Sequence, residues 1–295
     1  MADPRTSKTA SKAIPHEEYF PSVETDRESA FQRWARRLSD DRIELTRYLP
    51  VVQNMVVQEL RVRYQRSVLG FLWTLLNPIL MMTTMTIVFS QIFRIDARTY
   101  SVYLFSGLVP WTFLSSSLND SAFCIIQNES LIRKIYLPKS IFPITRVLIN
   151  LSTFVLSFVA LFIFLWPLGA RPSWAMLFLP AAIGLFAVFT LGLSLILATA
   201  NTFFRDCGHL VAVFLQAWYF LTPILYEAKD LSPEVRNRFW LNPAYPFVRL
   251  FQAIIRDGVW PDPPSIAAAS AFALISLGVG YVVFKSHEDK LVFRL

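Results

Sequence analysis

One stretch of this chain changes character midway, at residues 50–93, which read PVVQNMVVQELRVRYQRSVLGFLWTLLNPILMMTTMTIVFSQIF. Its first half is amphipathic, because apolar residues recur at helical spacing while charged and amide residues fall elsewhere around the helical wheel. Its second half, from Gly70, carries almost no charge over a length sufficient to cross a bilayer, which takes about 20 residues. Arg61, Arg63 and Arg66 lie between the halves, and such cations hold a helix end on the cytoplasmic side. The stretch therefore predicts a helix on the inner membrane surface that leads directly into a first span.

The composition is that of a membrane protein. Of the 295 residues, 54% are hydrophobic and only 17% are charged, whereas a soluble domain of this length carries far more charge. The net charge of +7 includes many cations before the first predicted span, which fits the positive-inside rule and anionic lipid better than a nucleic-acid groove. Cys124 and Cys207 fall at predicted cytoplasmic span ends, where thiols stay reduced, so no disulfide is expected.

Hydropathy divides the chain into a polar tail, an amphipathic helix and a membrane domain. Residues 1–45 are polar and lack the apolar run of a signal peptide; residues 46–69 are the predicted surface helix, and residues 70–295 the membrane domain. Six spans are predicted, at about 70–93, 100–126, 144–166, 174–203, 210–226 and 266–284, with an outer segment at 227–264. The even number and the placement of basic residues predict that both termini are cytoplasmic. Because no stretch alternates polar and apolar residues as a barrel strand does, an all-α bundle is expected.

The connecting segment at 128–138, NESLIRKIYLP, predicts a short cytoplasmic helix. Asn128 is expected to cap it, Glu129 suits its positive end, and Leu131, Ile132 and Ile135 form an apolar edge. This edge with its basic flank either fits a groove on a soluble partner or rests on the lipid surface.

Two further connections carry information. The Arg205–Asp206 pair follows the fourth predicted span and is either a structural ion pair or a contact for a partner. In the outer segment, Ser232 and Pro233 open a helix, Asn242-Pro243 interrupts it, and residues 246–256 are apolar at helical spacing. Neither piece is long enough to cross a membrane, so they form either a lid over the outer mouth or a loop on the membrane face.

The sequence lacks the residues that several kinds of binding site require. None of the nine glycines is followed by lysine, so there is no phosphate loop, and the three histidines make no His-rich metal site. An enzyme is therefore not expected. Asp120 would suit an ion-coupled carrier at mid-bilayer, but it is predicted nearer the cytoplasmic half, with Arg146 either as its partner or at the headgroups.

Polar residues form stripes on the first and fifth predicted spans. Such stripes either join helices through hydrogen bonds or line an aqueous path. Tyr219, with Trp218 and Phe220, would also offer flat faces to sugar C–H groups. The stripes are Thr74, Asn77, Met81, Thr84 and Gln91 on the first span, and His209, Gln216, Tyr219 and the following Tyr226 on the fifth.

Five ordered motifs resemble the membrane subunit of type-2 ABC exporters of cell-surface polysaccharides, such as O-antigen, teichoic acid, capsule and mycobacterial galactan. They are QELRVRYQRSVLGFLWTLLNP at 58–78, SGLVPW at 106–111, SLIRKIYLP at 130–138, FFRD at 203–206 and LNP at 241–243. The match is collinear from about Pro50 to the end, so only the tail lies outside it.

The resemblance implies an all-α integral membrane protein of the bacterial inner membrane, with six transmembrane helices. It implies a homodimer that pairs with two copies of a separate cytoplasmic ATPase, which binds the ATP and Mg, so that this chain holds no cofactor or metal. The implied cargo is a polyprenyl-pyrophosphate-linked polysaccharide that moves between membrane lipid and a pore, and no nucleic acid is involved.

The resemblance also assigns roles to residues. Arg61, Arg63 and Arg66 either meet the pyrophosphate or are plain topology anchors. The residues assigned to the amphipathic interface helix are Val52, Val56, Leu60, Arg61, Arg63, Tyr64 and Arg66, and those assigned to the coupling helix are Asn128, Glu129, Ser130, Leu131, Ile132, Arg133, Lys134, Ile135 and Tyr136. The substrate path is assigned Trp73 and both polar stripes. The outer re-entrant gate helices are assigned Ser232, Trp240, Asn242, Pro243 and Phe247.

Two other functions remain open from the sequence. One is a channel or ion-coupled carrier that works without ATP, and the other is a membrane scaffold or glycosyltransferase accessory. The second predicts that substitutions of Arg133 and Lys134 leave export untouched.

Overall fold

The computed structural model describes residues 30–64, 73–165 and 173–294, and every regular element within those ranges is a helix. The all-helical prediction is therefore confirmed for these residues. The chain divides into two compact units, Met1–Glu44 and Leu45–Leu295, and of the first the structure describes only residues 30–44, which are helical. All contacts reported below lie in the second unit. Most of the predicted tail, Arg66 and Gly70 lie outside the described residues.

Ten α-helices fall within the described ranges, and short 3₁₀ or π turns extend several of them. They are α1 (Ala30–Tyr64), α2 (Trp73–Phe93), α3 (Ala97–Gln127), α4 (Glu129–Lys134), α5 (Ile141–Leu165), α6 (Leu179–Phe203), α7 (Cys207–Phe220), α8 (Pro233–Arg238), α9 (Tyr245–Gln252) and α10 (Pro263–Leu291).

Three helical segments among the described residues are long and apolar enough to cross a membrane: Ile141–Val159, Trp174–Phe203 and Pro263–Arg294. Shorter apolar helices lie at Ile79–Ile92 and Cys207–Phe220. Helix α3 has 31 residues, but it also carries the polar run SSSLNDS at 115–121. These segments are those of an integral membrane protein, and the number of six spans stays a prediction.

Helices α6 and α10 pack with their backbones almost in contact. A Cβ atom built on Gly280 would lie 2.2 Å from the carbonyl oxygen of Gly192, and one built on Gly192 would lie 2.3 Å from the carbonyl carbon of Ser276. The Ser276 hydroxyl donates a hydrogen bond of 2.8 Å to the carbonyl of Phe189. Small residues permit such an approach between membrane helices, where packing and interhelical hydrogen bonds replace the hydrophobic effect.

Aromatic rings from α3, α5, α6 and α9 form the main core. Phe247 of α9 is 0% exposed, and its ring centroid lies 4.8 Å from that of Phe189 and 5.1 Å from that of Phe186. Phe251, one turn later, packs against Phe154 at 5.8 Å. Helix α9 is therefore an inserted part of the core, which differs from a loop resting on a membrane face.

A second apolar cluster lies where α1, α3, α5, α6 and α10 meet. Half-buried residues of α1 and α4 pack against it, so it joins these two helices; it is called the α1/α4 cluster below. Its buried members are Val52, Cys124, Ile125, Leu137, Ile141, Phe142, Leu195, Ala198, Phe284 and Leu291, and the half-buried residues of α1 and α4 are Tyr48, Val51, Met55, Val56, Leu131 and Ile132.

Candidate functional site

The corner between α3 and α4 is a single residue, Asn128. Its carbonyl accepts the backbone N–H groups of Leu131 and Ile132, each at 3.0 Å, which starts α4. Its side-chain amide donates backward to the carbonyl of Cys124 at 2.7 Å and makes no bond to the N-terminus of α4. Asn128 is therefore the N-cap residue, as predicted, but its amide satisfies a free carbonyl at the end of α3 and not an N–H group of α4.

The exposed face of α4 is basic and aromatic. Leu131 and Ile132 turn inward against the α1/α4 cluster, so the predicted apolar edge is divided. The exposed residues are Arg133, Lys134 and Ile135, and Tyr136 is 77% exposed. Arg133 also forms an ion pair of 2.8 Å with Glu129. Ser130 is exposed on the same short helix. The helix and the two residues after it thus expose cations and one large ring, while Leu131 and Ile132 hold the helix on the protein.

The loop after α4 is fastened to the end of α10. The backbone N–H of Lys139 donates to a carboxylate oxygen of Glu288 at 3.2 Å, and Lys285 pairs with the other oxygen at 2.7 Å. Glu288 is buried, so this contact is shielded from water. The position of α4 is therefore set from both of its ends.

A buried asparagine holds the turn between α6 and α7. Asn201 donates to the carbonyl of Ala122 on α3 at 2.8 Å and accepts the backbone N–H of Gly208 at 2.7 Å. Gly208 has no room for a side chain, because an added Cβ would overlap the ring of Phe123. The neighbouring Arg205 and Asp206 are both exposed. Sequence reasoning missed Asn201, although an amide within an apolar helix is a signal of hydrogen bonding between helices.

The predicted interface helix corresponds to the second half of α1. Val52 is 3% exposed in the α1/α4 cluster, Val56 and Leu60 are half-buried, and Arg61 and Arg63 are exposed. The side chain of Tyr64 lies outside the described residues, as does Arg66. The apolar face therefore packs on the protein, and the two described arginines are open to a lipid headgroup or a phosphate.

Arg146 joins three helices. Its guanidinium donates to the carboxylate of Glu59 on α1 at 3.2 Å and to the amide oxygen of Gln127 at the end of α3 at 3.0 Å. Asp120 instead accepts a hydrogen bond of 2.9 Å from Asn150. The expectation that Arg146 partners Asp120 is therefore wrong, because Glu59, distant in sequence, supplies the carboxylate.

A family model for the ABC-2 type transporter matches residues 50–255. The chain belongs to the ABC-2 type transporter family. The match begins within α1, covers α2 through α9 and ends before α10 begins.

Named relatives of this ABC-2 chain are export and transport proteins. It is similar to the O-antigen export system permease protein RfbA of Myxococcus xanthus, with 32% identity over 84% of this chain and 96% of that protein. It is 34% identical to the protein of the same name from Klebsiella pneumoniae, over 68% and 78%. It is 22% identical to the polysialic acid transport protein KpsM of Escherichia coli, over 82% and 95%.

The predicted path residues of this ABC-2 chain lie mostly on its surface. On α2, Trp73, Met81, Thr84 and Gln91 are exposed, and the side chains of Thr74 and Asn77 lie outside the described residues. On α7, His209 and Gln216 are exposed. Apart from Tyr219 and Tyr226, the described residues of both stripes therefore face outward from the chain.

Tyr219 and Tyr226 differ from the rest of their stripe. The ring of Tyr219 packs 5.6 Å from that of Trp111, and its hydroxyl is buried without a hydrogen-bond partner in the described residues. The Tyr226 hydroxyl donates to the carbonyl of Phe220 at 3.0 Å. These two rings are packed within the protomer instead of lining an open surface.

A cavity of about 260 Å³ lies between α2, α3 and α5. Met81 is the one predicted path residue among its described lining residues; the wall is mostly apolar, although half of these residues carry a hydroxyl or amide group. Those polar groups are Thr112, Ser116, Asn150, Thr153 and Ser157.

Among the predicted gate residues, Asn242 has the densest set of contacts. Its side-chain oxygen accepts the indole N–H of Trp218 at 2.7 Å, and its amide donates to the hydroxyl of Thr222 at 2.9 Å. It therefore ties the start of the α9 segment to the end of α7. Ser232 is exposed and forms no side-chain cap, Trp240 and Pro243 are half-buried, and Phe247 lies in the core.

Ion pairs fasten both ends of the outer segment. Glu227 pairs with Arg256 at 2.6 Å and with Lys229 at 2.7 Å, and Arg249 pairs with Asp262 at 3.0 Å. Burial alone would raise the pKa of the Glu227 carboxyl, but hydrogen bonds from Lys229 and Arg256 outweigh it and hold that pKa below its usual value. No group of three or more His, Cys, Asp or Glu side chains that would suit a metal ion lies in the part of the chain that the structure describes.

Proposed function

We propose that this chain is the membrane subunit of an ATP-driven exporter that moves a polyprenyl-pyrophosphate-linked polysaccharide across the bacterial inner membrane. Two copies of it would form the passage, and two copies of a separate ATPase, which holds ATP and Mg, would supply the energy. Residues 46–69 act as the interface helix, residues 70–295 as a domain of six spans, and both termini lie in the cytoplasm.

One observation carries the polysaccharide assignment. The O-antigen export permease of M. xanthus aligns over 96% of its own length with 84% of this chain. The similarity thus extends through the interface helix, α4 and the outer segment, and does not rest on apolar spans alone, which resemble one another in many membrane proteins. The E. coli polysialic acid transport protein, aligned over 95% of its length, supports the same class of cargo.

The geometry of α4 supports docking to an ATPase. The helix projects Arg133 and Lys134, with Tyr136 just beyond its end, from a base held by the α1/α4 cluster and by Glu288. A projecting basic face on a fixed base can transmit a displacement, whereas a helix lying loosely on lipid cannot. In the proposed cycle, ATP binding closes the partner subunits and moves α4, and α1 carries the motion to the base of α2.

The exposed faces of α2 and α7 support a path formed between two copies. Both carry polar residues amid apolar ones, among them Thr84, Gln91 and Gln216. In a dimer such residues line the passage while apolar neighbours meet lipid or the second copy. The sugar would pass through this space, the polyprenyl tail would stay in the bilayer, and Arg61 and Arg63 would meet the pyrophosphate.

Charge reversal on α4 tests the docking surface. We expect the double substitution Arg133→Glu with Lys134→Glu to abolish co-purification of the ATPase and surface display of the glycan. The matched control reverses Arg236 and Arg238 on α8, which is also a six-residue helix with two exposed cations, and should leave ATPase co-purification unchanged. If the α4 variant retained its ATPase and its export, α4 would not be the docking surface and the scaffold function would be favoured.

Reconstitution separates the exporter from an ATP-independent carrier. Vesicles that contain the chain with its ATPase should move lipid-linked glycan only when ATP is supplied. Vesicles that contain the chain alone should move none. Transport by the chain alone would overturn the proposed function.

A further inference from the structure

The guanidinium of Arg146 is the point at which α1, α3 and α5 are held together. Arg146 lies near the start of α5, its Nη1 contacts Glu59 of α1, and its Nη2 contacts Gln127, the last residue of α3. The Arg146 side chain is only 18% exposed and that of Glu59 is 43% exposed, so the arginine charge is the one shielded from water. The two acceptors contact different nitrogens of one planar group, an arrangement for which arginine is suited and lysine is not.

The contact with Gln127 gives Arg146 a direct connection to α4. Asn128 alone separates Gln127 from Glu129, the first residue of α4, and its side chain bonds back into α3. A displacement of α4 is therefore passed to the end of α3 without an intervening flexible loop. Through Arg146 the same displacement reaches Glu59 on the interface helix.

The backbone of Arg146 is held as firmly as its side chain. The Asn150 amide donates to the Arg146 carbonyl at 3.1 Å and to the Asp120 carboxylate at 2.9 Å, so α3 and α5 are tied a second time one turn further on. The guanidinium thus projects from a base that cannot easily rotate.

We propose that Arg146 is a positioning residue that fixes α1 against the corner between α3 and α4, so that the two helices move as one body. The apolar contacts of the α1/α4 cluster hold the helices near each other but permit sliding, because such contacts have no direction. The two hydrogen bonds of Arg146 are directional and set the register. Without them, α4 would move while α1 stayed in place.

The first test measures the contact by itself, in the purified full chain without an ATPase. Hydrogen–deuterium exchange is compared for peptides covering residues 45–64 and 127–136. Arg146→Gln should speed exchange in both, Arg146→Lys should give a smaller change, and Lys290→Gln should change neither, since it removes an exposed cation from the end of α10. If Arg146→Gln left residues 45–64 as protected as in the unaltered chain, the inference would be wrong.

The second test measures coupling in the complete complex, and it depends on the proposed function. Arg146→Gln and Glu59→Gln should each keep the ATPase bound and hydrolysing ATP, yet lower export by at least about tenfold. Arg146→Gln removes the charged donor of both directional bonds, and Glu59→Gln leaves the shielded Arg146 charge without its counterpart. The exchanged pair Glu59→Arg with Arg146→Glu should recover much of the export, since the Gln127 amide can donate to a carboxylate as well as accept from an arginine.

The outcomes separate the two proposals. Export that stays normal in Arg146→Gln, or an exchanged pair no better than its single variants, would overturn the positioning role. Export that continued without any ATPase would overturn the proposed function. Hydrogen–deuterium exchange would still show whether Arg146 holds α1 against the α3–α4 corner.

Discussion

Alanine substitutions at Gly192 and Gly280 test how closely α6 and α10 pack. An added Cβ at Gly280 would lie 2.2 Å from the carbonyl oxygen of Gly192. Ordinary contact begins near 3.4 Å, so the two backbones must separate locally by roughly 1 Å. This separation would also break the hydrogen bond from Ser276 to Phe189.

The expected loss in the free energy of unfolding combines two effects. Inserting a methyl group into a fully packed contact costs about 1–3 kcal/mol, and an interhelical hydrogen bond in a membrane protein contributes on average about 0.6 kcal/mol. Each substitution should therefore lower the free energy of unfolding by about 2–4 kcal/mol.

The chain offers a matched control on each helix. Gly184 of α6 and Gly278 of α10 have no atom within 4 Å of an added Cβ, so alanine fits there. These controls should be neutral or slightly stabilising, because alanine exceeds glycine in helix propensity by up to about 1 kcal/mol. Thermal unfolding of the four purified variants in one detergent makes the comparison. Equal unfolding midpoints for Gly192→Ala and Gly184→Ala would refute the close approach of the helices.

Three further predictions concern single side chains. Phe247→Ala should lower the free energy of unfolding by about 3–5 kcal/mol, because the ring is enclosed. Phe293 is 88% exposed, so its truncation should change the free energy of unfolding by no more than about 0.5 kcal/mol. Denaturant titration compares the two variants. Asn201→Ala should cost about 1–3 kcal/mol in the same assay, because it leaves a buried backbone N–H group without its acceptor. The Glu227 carboxyl has a lowered pKa in the fold, so its stabilising effect is complete above the ordinary value of 4.5 and is lost as the pH falls through the folded value. Protection from hydrogen exchange at residues 221–230, taken relative to the intrinsic exchange rate at each pH, should therefore fall in acid.

Each of these predictions has a result that contradicts it. If truncating Phe247 and truncating Phe293 lowered the free energy of unfolding equally, α9 would not lie in the core. A neutral Asn201→Ala would mean that the turn between α6 and α7 is held by other contacts. Glu227→Gln should remove the acid dependence, and an unchanged dependence would assign it to another carboxyl group.

The short helix α4 illustrates what local sequence can predict. The residues at 128–138 predict a helix, and α4 spans Glu129–Lys134 as a consequence of that local pattern. The prediction failed at the side-chain bond of Asn128 and at the direction of the apolar edge. Both depend on neighbours that are distant in sequence, namely the end of α3 and the α1/α4 cluster, and the periodicity of eleven residues contains no information about them.

Helix α9 illustrates the opposite case. Residues 246–256 are apolar at helical spacing, and the same pattern fits a lid, a surface loop or a core element. In a membrane protein an apolar face can meet lipid or another helix at similar free energy, so hydropathy does not distinguish these environments. The rings of Phe186 and Phe189 decide the matter, because they leave a space that Phe247 fills.

The amino-acid sequence by itself determined the class of this protein, its helical nature and its membership of the ABC-2 family. Apolar content, charge placement and ordered motifs are local or additive properties, and a linear chain displays them directly. The tertiary structure alone decided which polar groups meet: Glu59 with Arg146, Asn201 with Gly208, Lys139 with Glu288. Hydrogen bonds act only over a few ångströms, so their partners are known only after packing has brought separate helices together.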